Sequence, residues 1–198
     1  MGERSAIEEA IEARCQAGDF EAAATRAIEG YGPELLGYLY AVAPSKTDAE
    51  DLYADLCERL WKHLPSFRWQ SSLRTWAYAV ARNLLRSDLR ARRGKRHVTL
   101  SDSAAEKLAQ SIRSTTAIHL RTESKNKLDE VRAGLDPDER TLLILRVDRK
   151  LPWQDVARVF AEGDASSEDL SRLAASLRKR FERVKDKLRR EMNAAKDG

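Results

Sequence analysis

The sequence predicts an all-α protein: two small helical domains joined by a flexible linker. Three observations carry that expectation. Apolar residues recur at three- and four-residue steps through most of the chain, as on helices with one buried face, and no stretch alternates convincingly as a strand. That periodicity lapses after Gly94, where the text turns rich in Ser and Thr, and returns near Leu128. Charge is laid out in blocks. Residues 1–65 carry a net −7, 66–100 +8, 101–133 +1, 134–170 −4 and 171–198 +6, although the whole chain of 198 residues is only +4.

The elements follow in order. Residues 5–17 are Ala/Glu-rich and helical in character. Gly18-Asp19 makes a turn, and Phe20–Ile28 reads as a second helix. Gly30-Tyr31-Gly32-Pro33 should break it, with Pro33 suited to the first turn of Glu34–Val42. Thr47 with Glu50 forms a capping-box pattern for a helix to about Leu64 that buries Leu52, Leu56, Leu60 and Trp61. Pro65 ends it. An aromatic loop then runs into a basic amphipathic helix that Ser71 or Ser72 can cap and Gly94 can end. Leu73, Ala77, Val80 and Leu84 share one face of that helix. Arg74, Tyr78, Arg82, Arg86 and Arg90 recur every four residues on another. Phe67, Trp69, Trp76 and Tyr78 set flat rings beside these cations, a combination suited to unpaired bases.

A linker is expected over residues 95–121, with a short helix near Ala104–Ile112. The second domain, residues 122–198, should begin with a helix over Ser124–Ala133. Asp138–Val147 follows and buries Leu142, Leu143, Leu145 and Val147. Trp153–Phe160 comes next, and a last helix runs to about Met192. Its core face is Leu170, Leu173, Leu177, Phe181, Val184 and Leu188. A short helix, a turn and a basic helix is the sequence form of a helix-turn-helix. Two basic blocks, each after an acidic one, suggest two nucleic-acid contacts.

Other classes find little support. Cys15 and Cys57 are isolated, which gives no disulfide framework and no zinc spacing, so a reducing compartment is the default. Residues 1–30 hold acids where a signal peptide needs an apolar run, and no run approaches a membrane span. A cytoplasmic protein is expected. His63, His97 and His119 stand far apart, and no glycine-rich phosphate loop, nucleophile elbow or metal cluster occurs. No catalytic residue, metal or cofactor is expected.

The order of the pieces resembles a known family. Asp48-Ala49-Glu50-Asp51-Leu52, Trp61, Phe67-Arg68, Ser72-Leu73-Arg74-Thr75-Trp76 and Ala81-Arg82-Asn83 closely resemble conserved region two of bacterial RNA polymerase sigma factors. The closest type is the extracytoplasmic-function (ECF) class, which keeps regions two and four and lacks region three. Leu135-Asp136-Pro137-Asp138-Glu139-Arg140, with Leu142–Arg146 and Trp153–Phe160, resembles the start of region four. The resemblance covers roughly residues 17–93 and 125–191. It implies that residues 1–94 bind the polymerase core and recognise and melt the minus-ten element, and that residues 122–198 contact the minus-thirty-five element.

The resemblance also implies roles. Asp48, Glu50, Asp51, Leu52 and Asp55 would dock on the clamp-helix coiled coil of the polymerase largest subunit. Phe67, Arg68, Trp69, Gln70 and Ser71 would fill the loop that opens the minus-ten element, where a base leaves the stack. Asn83 occupies a base-reading position. Arg74, Arg82 and Arg86 would hold phosphates, and Arg178, Lys179, Arg180 and Arg183 would face duplex DNA. The implied partners are RNA polymerase core and promoter DNA, with an anti-sigma factor as a further candidate and no membrane.

One departure from the family stands out. Its helix-turn-helix turn is only a few residues long, whereas Phe160 and Leu177 lie far apart here. Ser166 with Asp169 is a capping-box pattern, so the last helix can start about two turns early; alternatively the insertion forms its own short helix. Glu162, Asp164, Glu168 and Asp169 should then be exposed, away from the phosphates they would repel. The competing reading of the whole chain is a helix-turn-helix regulator that does not engage polymerase core.

Overall fold

The structure, a computed structural model, describes residues 6–92, 105, 107–113 and 134–194. All secondary structure among them is helical, in two compact units, Met1–Leu120 and Arg121–Gly198. The expected helix over Ser124–Ala133 and the expected stop at Gly94 lie outside the described residues.

The first unit contains α1 (Ala6–Gln16), α2 (Phe20–Val42), α3 (Lys46–His63) and α4 (Leu73–Arg92), with a 3-10 turn at Leu64–Ser66. Asp19 caps α2 by accepting from the Ala22 N–H at 3.1 Å. The break expected at Gly30–Pro33 does not occur: α2 is continuous with Pro33 inside it. Proline in a helix interior costs on the order of 3 kcal/mol. Here Ile28, Tyr31, Leu35, Leu36 and Leu39 all bury on either side of it, while Pro33 faces outward, so packing outweighs the local cost.

The cap of α3 also differs from expectation. Ser45, not Thr47, accepts from the Asp48 N–H at 3.1 Å, and its hydroxyl donates to the Asp48 carboxylate at 2.7 Å. Glu50 is thereby left to accept from the Tyr40 hydroxyl at 2.8 Å. Leu52, Leu56 and Leu60 are buried as expected, but Trp61 is only half-buried. The core is completed from α4 by Leu73, Ala77, Leu84 and Leu85, and Tyr78 packs edge-on against Tyr38 with ring centres 5.4 Å apart.

The segment read from sequence as linker contributes α5 (107–113), close to where a short helix was expected. Ala105, Ala109 and Ile112 are buried within the first unit. The Ile112 side chain and the Tyr53 ring converge on Gly32. A Cβ there would press on Tyr53 Oη and lie 2.8 Å from Ile112 Cδ1, so any side chain at this position would force these two buried groups to move. Arg113 donates to the Glu50 carbonyl at 3.3 Å.

In the second unit, α6 (Pro137–Leu143) starts from a complete capping box between Asp136 and Glu139. It widens into a π-turn at Ile144–Asp148. Leu142, Leu143 and Leu145 are buried as expected, but Val147 is 46% exposed, because the wide turn rotates it off the buried face. Next come α7 (Trp153–Phe160) and α8 (Ser167–Ala194). The segment between Phe160 and Leu177 is a short loop followed by early turns of α8. Asp169 N–H donates to Ser166 Oγ at 3.1 Å, and Ser166 N–H donates back to Asp169 at 3.3 Å. Leu170 and Ala174 extend the buried face that Leu177, Phe181, Val184 and Leu188 continue, while Leu173 is half-buried.

Candidate polymerase and nucleic-acid interface

The loop before α4 is ordered by its own aromatics. The Phe67 ring lies 5.0 Å from Trp69 and 5.0 Å from Trp76, the latter tilted by 30°. These three rings are half-buried, while Arg68 and Gln70 are exposed and Ser71 is half-buried. Trp69 adopts φ +54°, a left-handed conformation that costs a non-glycine residue energy and that the surrounding packing has to maintain. Ser72 is the observed cap of α4, accepting from the Thr75 N–H at 3.0 Å.

Two acids distant in sequence grip the first turn of α4. Glu8 of α1 is 4% exposed, and its carboxylate accepts from the backbone N–H of Leu73 at 2.9 Å and of Arg74 at 3.0 Å. The Tyr31 hydroxyl donates to the same carboxylate at 3.0 Å. Glu34 of α2 takes the Arg74 guanidinium in a two-point ion pair, at 2.6 and 2.8 Å. Reading the sequence missed both acids. Neither carries a local signal: Glu8 sits in Ala/Glu-rich helical text, and Glu34 directly follows Pro33 at the head of a Leu-rich run.

The basic stripe expected on α4 is only partly a surface. Arg74 is ion-paired, Tyr78 is fully buried and Arg82 is 3% exposed. A four-residue step drifts about 40° per turn around a helix of 3.6 residues per turn, and this drift carries the middle of the stripe into the core. Arg86 is half-buried, whereas Asn83 and Arg90 are exposed.

On α3 the five expected docking residues separate. Asp48 is buried beside its cap, and Leu52 belongs to the core. Glu50 is half-buried against Tyr40, and Asp51 is exposed. Asp55 is half-buried, and burial pushes its carboxyl above the usual aspartate range; Arg59 opposes this, while Glu58, Asp51 and Asp88 reinforce it.

In the second unit Arg178, Lys179 and Arg183 are exposed on α8. Arg178 lies 5.6 Å from the Trp153 ring centre, and Arg146 lies 5.1 Å from it. Arg180 turns away towards Asp136, at 3.2 Å, and Asp138, at 3.9 Å. Glu162, Asp164, Glu168 and Asp169 are all exposed, and Arg172 pairs with Glu168 and Asp169. Among the described residues no group of His, Cys, Asp and Glu could hold a metal ion, and no helix is long and apolar enough to cross a membrane.

Residues 27–95 match the family Sigma-70 region 2. The ECF RNA polymerase sigma factor EcfG of Rhodopseudomonas palustris is 32% identical over 130 residues, covering 64% of this chain and 67% of that protein. The chain belongs to the ECF sigma factors. Sigma factor SigG of Mycobacterium tuberculosis is 40% identical over 93 residues, 47% of this chain, but the match spans only 23% of SigG. The fold agrees with the solved sigma factor RpoE of Bartonella quintana, in complex with the anti-sigma factor NepR. The TM-score is 0.56 at 19% identity, over 81% of this chain and 91% of that one. Within this ECF sigma factor the region-two match contains α3, the aromatic loop and α4, and leaves Glu8 outside it.

Proposed function

We propose that this ECF sigma factor acts in the cytoplasm, binds RNA polymerase core and directs it to promoters whose minus-ten element it opens. The observation that carries the reading is the pairing of the region-two match with an aromatic loop of strained backbone fixed to the start of α4. Flat rings held ready beside exposed Arg68, Gln70 and Asn83 can stack and read bases once they are unpaired. Phosphate contacts in this region fall to Arg68, Arg86 and Arg90, while Arg74 and Arg82 hold α4 in place. Core docking centres on Asp51 with Asp55 and Glu50, because Asp48 and Leu52 serve the cap and core. Arg178, Lys179 and Arg183 meet the minus-thirty-five duplex, and an anti-sigma factor is the expected regulator.

Co-purification with core polymerase tests this reading. A stoichiometric complex that Asp51→Arg weakens is expected. Tight DNA binding with no affinity for core would support a regulator that works without polymerase.

A further inference from the structure

We propose that Glu8 is a positioning residue for promoter opening: α1 holds the melting loop and α4 in register through one buried carboxylate. This rests on the function proposed above. The first turn of any helix has backbone N–H groups without helical partners, normally satisfied by the preceding residue. In α4 the work is divided. Ser72 takes the Thr75 N–H, while Glu8, 65 residues earlier, takes those of Leu73 and Arg74. A carboxylate at this end also meets the positive pole of the helix dipole.

The contact is placed where it can govern geometry. Leu73 directly follows the loop that carries Trp69, and Trp76, one turn later, stacks on Phe67. A shift of the first turn of α4 therefore moves the ring platform. Glu8 is itself held by the Tyr31 hydroxyl, and Glu34 of α2 restrains the Arg74 side chain. The carboxylate thus couples the amino-terminal helix, which lies outside the region-two match, to the base-capturing loop.

The test uses the full chain assembled with its core polymerase, on a promoter selected from a random duplex library. Three variants, Glu8→Ala, Glu8→Gln and Tyr31→Phe, are compared for core affinity, for opening of the duplex, and for binding of the unpaired minus-ten strand. Glu8→Ala should slow opening and weaken single-strand capture by about tenfold, the scale expected for loss of a charge-assisted hydrogen bond, with core affinity unchanged. Glu8→Gln should recover part of the loss, because its amide oxygen still accepts one N–H. Tyr31→Phe should have a smaller effect, because it leaves both backbone contacts. Normal opening by folded Glu8→Ala, with only its melting temperature lowered, would overturn the proposal. If Glu8→Ala does not fold, wild-type opening by both Glu8→Gln and Tyr31→Phe would overturn it equally. A wild-type holoenzyme that opens no promoter in the library would instead remove the functional reading on which the proposal rests.

Discussion

The two basic helices, α4 and α8, look alike in sequence and are used differently. In α4 Arg74 is ion-paired to Glu34 and Arg82 is buried, so these two charges help hold the helix in the first unit, while Arg90 stays exposed. In α8 the charge stays largely outside, with Arg178, Lys179 and Arg183 exposed and Arg180 alone of these four turned onto Asp136 and Asp138. A helix that presents unpaired bases to a ring platform has to be rigid, because stacking depends on where the rings sit. A helix that meets intact duplex needs accessible charge, because neutralising phosphates is what releases counterions. On the function proposed above, the same residue type would serve position in one unit and affinity in the other.

The sharpest way to break this contrast is Arg74→Ala. It leaves Glu34 without its partner at a half-buried site, and should destabilise the first unit by on the order of 2 kcal/mol. Thermal unfolding reads this directly. A normal melting temperature combined with a lower salt dependence of DNA binding would show that Arg74 is a phosphate contact after all.

Trp69→Ala and Asn83→Ala sharpen the first half of the comparison. Each should impair open-complex formation more than closed-complex binding, because stacking of roughly 1–3 kcal/mol per base is gained only after unpairing. Equal losses in both steps would assign these residues to the fold or to general affinity.

The second half predicts a difference within α8. Replacing Lys179 and Arg183 with Ala should lower the slope of log affinity against log salt by about 0.9 for each phosphate that is no longer neutralised. Arg180→Ala should leave that slope nearly unchanged, since Arg180 already faces two carboxylates.

A smaller effect is expected at Asp55. Its folded carboxyl titrates above the unfolded value of 3.8, so burying the ionised form costs stability, and the cost grows as pH rises from about that value through the folded one. Asp55→Asn should raise the melting temperature at neutral pH, with the gain fading on acidification through the same window. A constant difference across that window would mean that the effect is not one of charge.

Much of this was legible in the sequence, because helix periods and caps are local. The bounds of α7 follow from apolar spacing, and at Ser166–Asp169 the structure has the early start of α8 rather than the separate short helix that the sequence equally allowed. The continuity of α2 through Pro33 was not legible, because burial on both sides of the proline is a tertiary effect. Nor was the fate of the α4 stripe. Spacing showed that its cations share a slowly winding face, but whether that face meets solvent depends on packing against residues far away in the chain, such as Glu34 on Arg74 and Tyr38 on Tyr78. The expected docking set on α3 was divided by a local cap and by a contact from the preceding helix. Asp48 is drawn in by Ser45 and Glu50 by Tyr40, and Asp51 remains exposed.

The central claim is that one unit works on unpaired strand and the other on duplex while both serve polymerase. Transcription in vitro with core polymerase and a library of promoter DNA, followed by sequencing of the transcript starts, tests it most directly. The account predicts starts that depend on this chain and share two elements. Changing Trp69 and Asn83 should alter preference only at the element near the start, and changing Arg178 and Lys179 only at the upstream one. Transcripts independent of the chain, or a single element altered by both sets of substitutions, would contradict it.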